Sequence, residues 1–348
     1  MRRPMVIFSV ATLVPVVLLF IAAFAGGLWP WLALAYMTVF TFALDELLAI
    51  TLPEAEPGVE FPAADRLSVI LGVAHFLLLA VAIFTLAGGT GLGLASRIAL
   101  FLAFGMFFGQ VSNSNAHELI HRSSRGLFRL GMWIYISLLF GQHTSAHRHI
   151  HHRYVATEYD PNSAEIGESY WSFLPRAWVG SFTAGYQIER EFIRARGEGR
   201  NPYVLYLSAE AAFILGIFIL FGMEGLIAYV LLAIYAQMQL LLSDYVQHYG
   251  LSRAVGTDGK AEPVTAAHSW NSGRWFSSAL MLNAPRHSAH HAHPAWPYPE
   301  LDLPSAEQAP RLPYSLPIMG LIALFPGRWF RMMDRRLEKW QTAAHRYG

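Results

Sequence analysis

The sequence has no cysteine and few charged side chains. Among its 348 residues there is no Cys, and Asp, Glu, Lys and Arg together make up only 14%. Without thiolates the chain cannot form disulfides, hold an iron–sulfur cluster, ligate haem through sulfur or contain a fused rubredoxin. Soluble domains carry about 25% charged residues. A formal net charge of +1 leaves no broad basic surface for nucleic acid.

Long apolar runs are abundant instead. Hydrophobic residues make up 54% of the chain. Runs of about 20 apolar residues are long enough to cross a bilayer as helices, so the sequence predicts an all-α, integral-membrane bundle of six transmembrane helices. The runs are 5–28, 30–50, 67–88, 94–115, 203–222 and 225–247. A shorter run at 127–142 predicts an interfacial or re-entrant helix, and a seventh span stays open. The first run is too long for a cleavable signal peptide.

Arginine is unevenly distributed, and this predicts an orientation. The chain begins with Arg2 and Arg3, the segment 122–200 is rich in arginine, and so is the tail 328–336. Cytoplasmic loops carry such an excess. We therefore expect a multi-pass protein of the inner membrane, with both termini and the segment 116–202 in the cytoplasm. No repeat or linker divides the chain, so residues 1–348 are expected to form one domain.

The fifteen histidines are concentrated on the predicted cytoplasmic side. Only His75 lies within a predicted span. The other histidines that are candidates for a functional site lie in five short sequence strings. These are HELIHR (His117, His121), HRHIHH (His147, His151, His152), DYVQHYGL (His248), HSWNS (His268) and RHSAHHAHP (His287, His290, His291). Because hydropathy and arginine alone gave the topology, this segregation is an independent indication of a site at the inner membrane face.

The spacing within these strings suits metal binding. Residues i and i+4 share a helix face, so His117/His121 and His147/His151 are each predicted to aim two imidazoles at one point, and His287/His290 at i, i+3 to do the same. Eight or nine imidazoles exceed the four ligands of a tetrahedral zinc ion and fit two metals with open positions. Imidazole also suits copper, nickel and iron. Iron is favoured because oxygen activation explains a site beside a lipid-filled cavity.

Other interpretations of the histidines stay open. HELIH matches the H-E-x-x-H of zinc proteases, in which Glu118 would activate water. Histidines within spans could ligate haem, and a metal transporter would place its ligands near the midplane of the bilayer. Four histidines were expected to be isolated surface residues: His143, His149, His293 and His345.

The strings together resemble those of the membrane alkane hydroxylase family, which is related to the xylene monooxygenases and to the wider superfamily of fatty-acid desaturases. The superfamily's three boxes, HxxxH, HxxxHH and HxxHH, are present, and RHSAHHAHP, HSWNS and VATEYDPNSAEIGESYWSFLPR are similar to alkane hydroxylase segments. DYVQHYGL resembles the family's NYxEHYGL but has Asp244 and Gln247, and Gln here is more like the xylene branch. Ala146 and residues 148–150 also depart from the family pattern.

The resemblance implies a monooxygenase that hydroxylates an alkane terminally with O2. The alternatives are a hydroxylase of alkyl-aromatic methyl groups and a fatty-acid desaturase. It implies two non-haem iron ions held by His117, His121, His147, His151, His152, His248, His287, His290 and His291. Glu118, Asp160, Asp244 and His268 are candidates for orienting these rings by hydrogen bonds. Electrons would come from a rubredoxin or ferredoxin with its reductase, because the chain has no sulfur ligands of its own.

Overall fold

The regular secondary structure of the described residues is helical. The computed structural model describes residues 3–48, 50–51, 61–257 and 259–347, and within them only isolated bridges, and no strands, accompany the helices. The α-helices are α1 Arg3–Ala25, α2 Trp29–Ala35, α3 Thr41–Glu46, α4 Pro62–Leu86, α5 Leu94–Met106, α6 Asn113–Ile120, α7 Arg125–Ser137, α8 His143–Ala146, α9 His152–Tyr154, α10 Tyr170–Arg196, α11 Pro202–His248, α12 Trp275–Leu280, α13 His287–Ala292, α14 Leu316–Ala323 and α15 Pro326–Tyr347. Short π-helical turns occupy Tyr36–Phe40, Phe107–Ser112 and His147–His151, and 3-10 turns occupy Ala266–His268 and Tyr298–Glu300. The predicted all-α class is confirmed.

Among the residues that the structure describes, four helical segments are long and apolar enough to cross a membrane. They are Met5–Ala25, Pro62–Leu86, Leu94–Ile120 and Pro202–His248. Large apolar side chains on them remain exposed, such as Val17, Val73 and Leu220, as expected where lipid replaces water. The predicted run 30–50 instead forms α2, a π-turn and α3. Residue 49 of that run and Arg2, which contributes to the predicted orientation, lie outside the described residues.

The helix α11 reverses direction at Gly222. This glycine has φ +68° and ψ −163°, which is not helical and is open essentially only to glycine. Glu210 accepts a hydrogen bond from the Gly141 amide, while Gln237 donates to the carbonyl of Leu138. In one straight helix, residues 210 and 237 would lie about 40 Å apart. Both halves of α11 therefore lie beside one short segment, and the chain turns where the apolar runs 203–222 and 225–247 meet.

The predicted interfacial run 127–142 forms α7, which packs closely on α6. Gly131 makes this approach possible, because a Cβ at this position would lie only 2.8 Å from the Ala116 carbonyl oxygen. The packing fixes the first histidine box, since His117 lies within α6 and His121 ends it. A side chain at residue 131 would separate the two helices and move these imidazoles.

Candidate metal centre

Nine histidines converge from four regions of the chain. They come from the end of α6, the segment from α8 to α9, the end of α11 and α13. They form two groups, and within each group the candidate ligand atoms all lie within 4.8 Å of one another. The five-histidine group is His117, His121, His147, His152 and His290, and the four-histidine group is His151, His248, His287 and His291. These are the nine residues that the sequence singled out as ligands.

The π-turn decides how the second box is divided. The amide of His152 donates to the carbonyl of His147, five residues earlier, as in a π-turn. His152 therefore lies over His147, with the two Nε2 atoms 3.0 Å apart, while His151 joins the other group. The prediction that His147 and His151 aim at one point is wrong, because it assumed the four-residue α-helical period.

The third box is divided in a related way. His287 and His291, one α-helical turn apart, lie in the four-histidine group, with Nε2 atoms 3.1 Å apart. His290 instead approaches His152, also at 3.0 Å between Nε2 atoms. The predicted pairing of His287 with His290 is therefore wrong. Each of these two boxes supplies ligand candidates to both groups, and this ties the groups together.

The two groups are direct neighbours. The rings of His152 and His291, from different groups, have centroids 4.6 Å apart. His290 and His291, adjacent in sequence, have centroids 5.8 Å apart. Two ions held by these groups would consequently lie close enough to act on one small molecule.

Several ring nitrogens lie close enough together to share one ion. Four pairs of Nε2 atoms are 2.9 to 3.1 Å apart. Two nitrogens that are each about 2.1 Å from one ion would be separated by about this distance. The spacing within the groups is therefore compatible with metal binding.

Hydrogen bonding alone does not satisfy these rings. The buried Nε2 atoms of His117, His121 and His151 have no partner among the described residues. His152 Nε2 faces both His147 and His290, although a ring nitrogen offers either one N–H or one lone pair. Buried polar atoms are normally paired, so these residues fit a bound cation.

Buried acceptors orient two of the rings. His151 Nδ1 donates to the Asp160 carboxylate at 2.9 Å, and His248 Nδ1 donates to the His268 carbonyl at 3.3 Å. Each contact turns the opposite nitrogen toward the group and raises the basicity of that ligand. Burial disfavours charge on His151, but the nearby Asp160 carboxylate outweighs it and raises the pKa of His151. The same pairing outweighs burial at Asp160 and lowers its pKa.

Most of the other rings are neutral. Burial first, and neighbouring imidazoles second, hold the pKa of His121, His147, His152, His290 and His291 well below the usual range. A histidine must be neutral to bind a metal. The groups therefore offer lone pairs at neutral pH rather than a cluster of positive charges.

The remaining orienting candidates have other contacts. The Glu118 carboxylate lies 2.6 Å from Arg122 and accepts from the Tyr298 amide. Asp244 accepts from the Asn162 amide group at 2.6 Å. The His268 side chain accepts from the Thr265 amide and approaches Glu262, so only its backbone carbonyl reaches a ligand candidate. Glu118 thus links α6 to the turn at Tyr298.

Sequence reasoning missed His143. It was expected at the surface but is buried, stacked on Phe140 and 5.1 Å between ring centroids from His147. The signal was its spacing, four residues before His147. His149 is partly exposed and His293 exposed, whereas the side chain of His345 lies outside those described.

His75, which the sequence places within a predicted span, has a structural role. Its ring nitrogens lie 2.9 and 2.8 Å from the hydroxyls of Ser112 and Ser137. These contacts join α4 to the π-turn before α6 and to the end of α7. They satisfy both nitrogens of a ring that is otherwise surrounded by apolar side chains.

Two adjoining cavities lie beside the histidines. The inner cavity, of about 50 Å³, is lined by His117, His147 and His287, with His143 and Asp244 also on its wall. The outer cavity, of about 230 Å³, is bordered mainly by apolar and aromatic side chains of α5, α10, α11 and α14. Gly109, Ser243 and Met281 line both cavities. We call these three shared residues the neck.

The sequence of the chain is similar to those of several known proteins. The sequence model of the family described as "Fatty acid desaturase" matches residues 94–321. Alkane 1-monooxygenase 2 of Alcanivorax borkumensis is 28% identical over 89% of this chain and 83% of its own length. Alkane 1-monooxygenase 1 of Pseudomonas aeruginosa is 30% identical over 77% and 74%. The xylene/toluene monooxygenase hydroxylase component of Pseudomonas putida is 26% identical over 92% and 86%.

Proposed function

The chain belongs to the fatty acid desaturase family and, within it, to the membrane alkane monooxygenases, and from this premise we propose that it hydroxylates the terminal C–H bond of an alkane. Membership of this family identifies the protein as an oxidoreductase. In the proposed reaction one oxygen atom of O2 enters the C–H bond and the other leaves as water, with two electrons and two protons consumed.

The observation that carries the proposal is the convergence of nine histidines into two adjoining groups beside a cavity. We propose that the five-histidine group and the four-histidine group each hold one iron ion. Two such ions, when bound, would supply the activation of O2 that an unactivated C–H bond requires. Acid–base side chains alone do not attack such a bond.

The residues of the chain bind and orient the reactants. The outer cavity offers an apolar path in which a substrate from the lipid would lie along Met106, Tyr235 and Leu242. The neck would admit only an extended chain end to the inner cavity, whose small volume favours attack at the first carbons. Asp160 and the His268 carbonyl would keep His151 and His248 turned toward the metals.

Other residues around the inner cavity would determine how much water reaches the reaction. His143, Tyr135 and Asp244 are buried and form part of the inner wall, so the substrate end would be shielded from bulk water there. Exclusion of water would protect the reacting oxygen from side reactions. His143 is a wall residue in this proposal and not a tenth ligand.

We place the protein in the inner membrane as one domain with six spans. The reversal at Gly222 supports counting α11 as two spans, and α2 with α3 would form another. The candidate metal centre and both termini would then face the cytoplasm, where a rubredoxin or ferredoxin and its reductase deliver electrons. Exposed arginines on that face could steer such an acidic partner.

A hydroxylase of alkyl-aromatic methyl groups is the second candidate. Gln247, which stands where the xylene branch also has Gln, lines the inner cavity and donates to the Ala284 carbonyl. In the proposed binding mode, the side chain at position 247 contacts the end of the substrate. The match to the xylene/toluene hydroxylase component extends over more of the chain than the alkane matches, although at lower identity.

Whole-cell conversion separates these functions. Cells producing the chain with a rubredoxin and its reductase receive alkanes, xylenes and short fatty acids, and the products are identified by mass spectrometry. Terminal alcohols from alkanes support the proposal, and benzylic alcohols as the main products favour the second candidate. Unsaturated products alone would show a desaturase and refute both.

A further inference from the structure

A groove lined by arginines lies away from the candidate metal centre. It is bordered by α3, α14 and α15 and has a volume of about 880 Å³. Arg328, Arg331 and Arg335 project into it from α15, where a spacing of three and four residues places them on one face. The opposite wall is apolar, with Ile318 and Ile322 of α14.

Among the described residues, the acidic side chain of the groove wall is already paired with another arginine. Arg274, which also lines the groove, pairs with Glu46 at 2.9 Å. Within the described part of the chain, no carboxylate forms an ion pair with Arg328, Arg331 or Arg335, all of which are exposed. Three guanidinium groups therefore face one concave surface, and guanidinium recognises phosphate through paired N–H donors.

The surroundings of the groove are those of a membrane surface. Phe42 in the groove wall is 45% exposed, and Phe325, between α14 and α15, is 54% exposed. The helix α3 continues the apolar run 30–50. Arginines next to exposed apolar side chains are the arrangement of an interfacial site, where charge meets lipid phosphate and apolar groups meet acyl chains.

We propose that this groove binds an anionic phospholipid. Arg331 and Arg335 hold the headgroup phosphate, with Arg328 beside them, and the first part of an acyl chain lies against Ile318 and Ile322. An acidic soluble protein would match the charge but not the apolar wall, so the lipid fits both features. The proposal does not depend on the reaction that the histidines support.

A lipid bound in the groove would affect the candidate metal centre through α15. The buried face of this helix carries Trp329 and Met333, and Trp329 lies 5.3 Å between ring centroids from Tyr249. Asp334 accepts a hydrogen bond from the Tyr249 hydroxyl at 2.8 Å. Tyr249 directly follows His248. A lipid that holds the outer face of α15 thereby steadies the chain next to one ligand candidate.

Native mass spectrometry of the detergent-purified full chain tests the proposal. The probes are phosphatidylglycerol and phosphatidylcholine with the same acyl chains, titrated against the wild type and the double variant Arg331→Gln, Arg335→Gln. Each arginine near an anionic lipid is worth about fivefold in affinity, so the double variant should bind phosphatidylglycerol about 25-fold more weakly. Arg336→Gln is the matched control, because Arg336 is exposed on the same helix but does not line the groove.

The outcomes are distinct. Support requires that wild type prefers phosphatidylglycerol, that Arg336→Gln retains this preference, and that a charge-conserving Arg331→Lys, Arg335→Lys variant binds more tightly than the glutamine variant. Equal binding of the two lipids by wild type, or unchanged binding in the glutamine variant, overturns the proposal. The proposal is also overturned if the glutamine variant still binds phosphatidylglycerol but needs a higher rubredoxin concentration for half-maximal turnover. The groove would then be the docking site of the electron donor.

Discussion

Replacing Asp160 by Asn would test how strongly a buried carboxylate supports the candidate metal centre. Asp160 accepts from His151 Nδ1 at 2.9 Å and from the Ser163 hydroxyl at 2.7 Å, and its side chain is fully buried. Asparagine keeps the size and one acceptor oxygen but removes the negative charge. His151 would then lose the negative charge that raises its basicity, and one amide oxygen would replace the two carboxylate oxygens that now accept from His151 and from the Asn162 amide.

The expected magnitude follows from comparable contacts. Removal of a buried partner of a ligand histidine costs about 10- to 100-fold in metal affinity or activity. Because His151 belongs to the four-histidine group alone, the loss should fall mainly on one of the two ions. The five-histidine group has no contact with Asp160 among the described hydrogen bonds and should keep its ion.

A chelator challenge measures this directly. Iron-loaded wild type and Asp160→Asn are incubated with increasing chelator, and the iron retained per chain is determined by mass spectrometry. The variant should lose its first iron at a chelator concentration about 10- to 100-fold lower, with the second retained. Ser163→Ala is the control, since it removes a different partner of the same carboxylate. Loss of both ions together in Asp160→Asn, or an equal loss in Ser163→Ala, would refute the reasoning.

Three further changes have defined outcomes. His290→Ala should abolish alkane turnover while membrane insertion, followed by fractionation, stays intact; retained turnover would remove His290 from the ligand set. Ser243→Leu narrows the neck and should lower alkane turnover by about 10²-fold, the scale of a misplaced substrate. The control Leu321→Met changes only the rim of the outer cavity and should have little effect; equal rates in the two variants would show that substrate takes another path. Gly222→Ala should lower the free energy of unfolding by about 1–3 kcal/mol because its backbone conformation suits only glycine, while Gly216→Ala, in a helix with open space around it, should raise it by up to about 1 kcal/mol; the two are compared by denaturant unfolding in detergent.

The sequence was most informative where its pattern was long or chemically specific. The apolar runs predicted the helical class, and the histidine strings, through the family that they resemble, predicted the residues of both groups. The division between the groups was not predictable from spacing, because the π-turn at His147–His151 changes the period from four residues to five. No local residue pattern in this segment indicates a π-turn.

The contacts of single polar residues were also hard to foresee. Glu118 stands inside the first box, yet it pairs with Arg122 and the distant Tyr298 amide. The burial of His143 depends on Phe140 and Tyr135, which pack on it only once the helices have assembled. Tertiary packing decides such contacts, whereas the apolar and histidine patterns are properties of the chain itself.

The metal content of the purified protein tests the central claim most directly. Elemental analysis of the wild type is combined with that of two variants, His121→Ala in the five-histidine group and His248→Ala in the four-histidine group. We predict about two iron ions per chain in the wild type and about one in each variant. A single zinc ion per chain in the wild type, or iron that persists undiminished in both variants, would contradict the account.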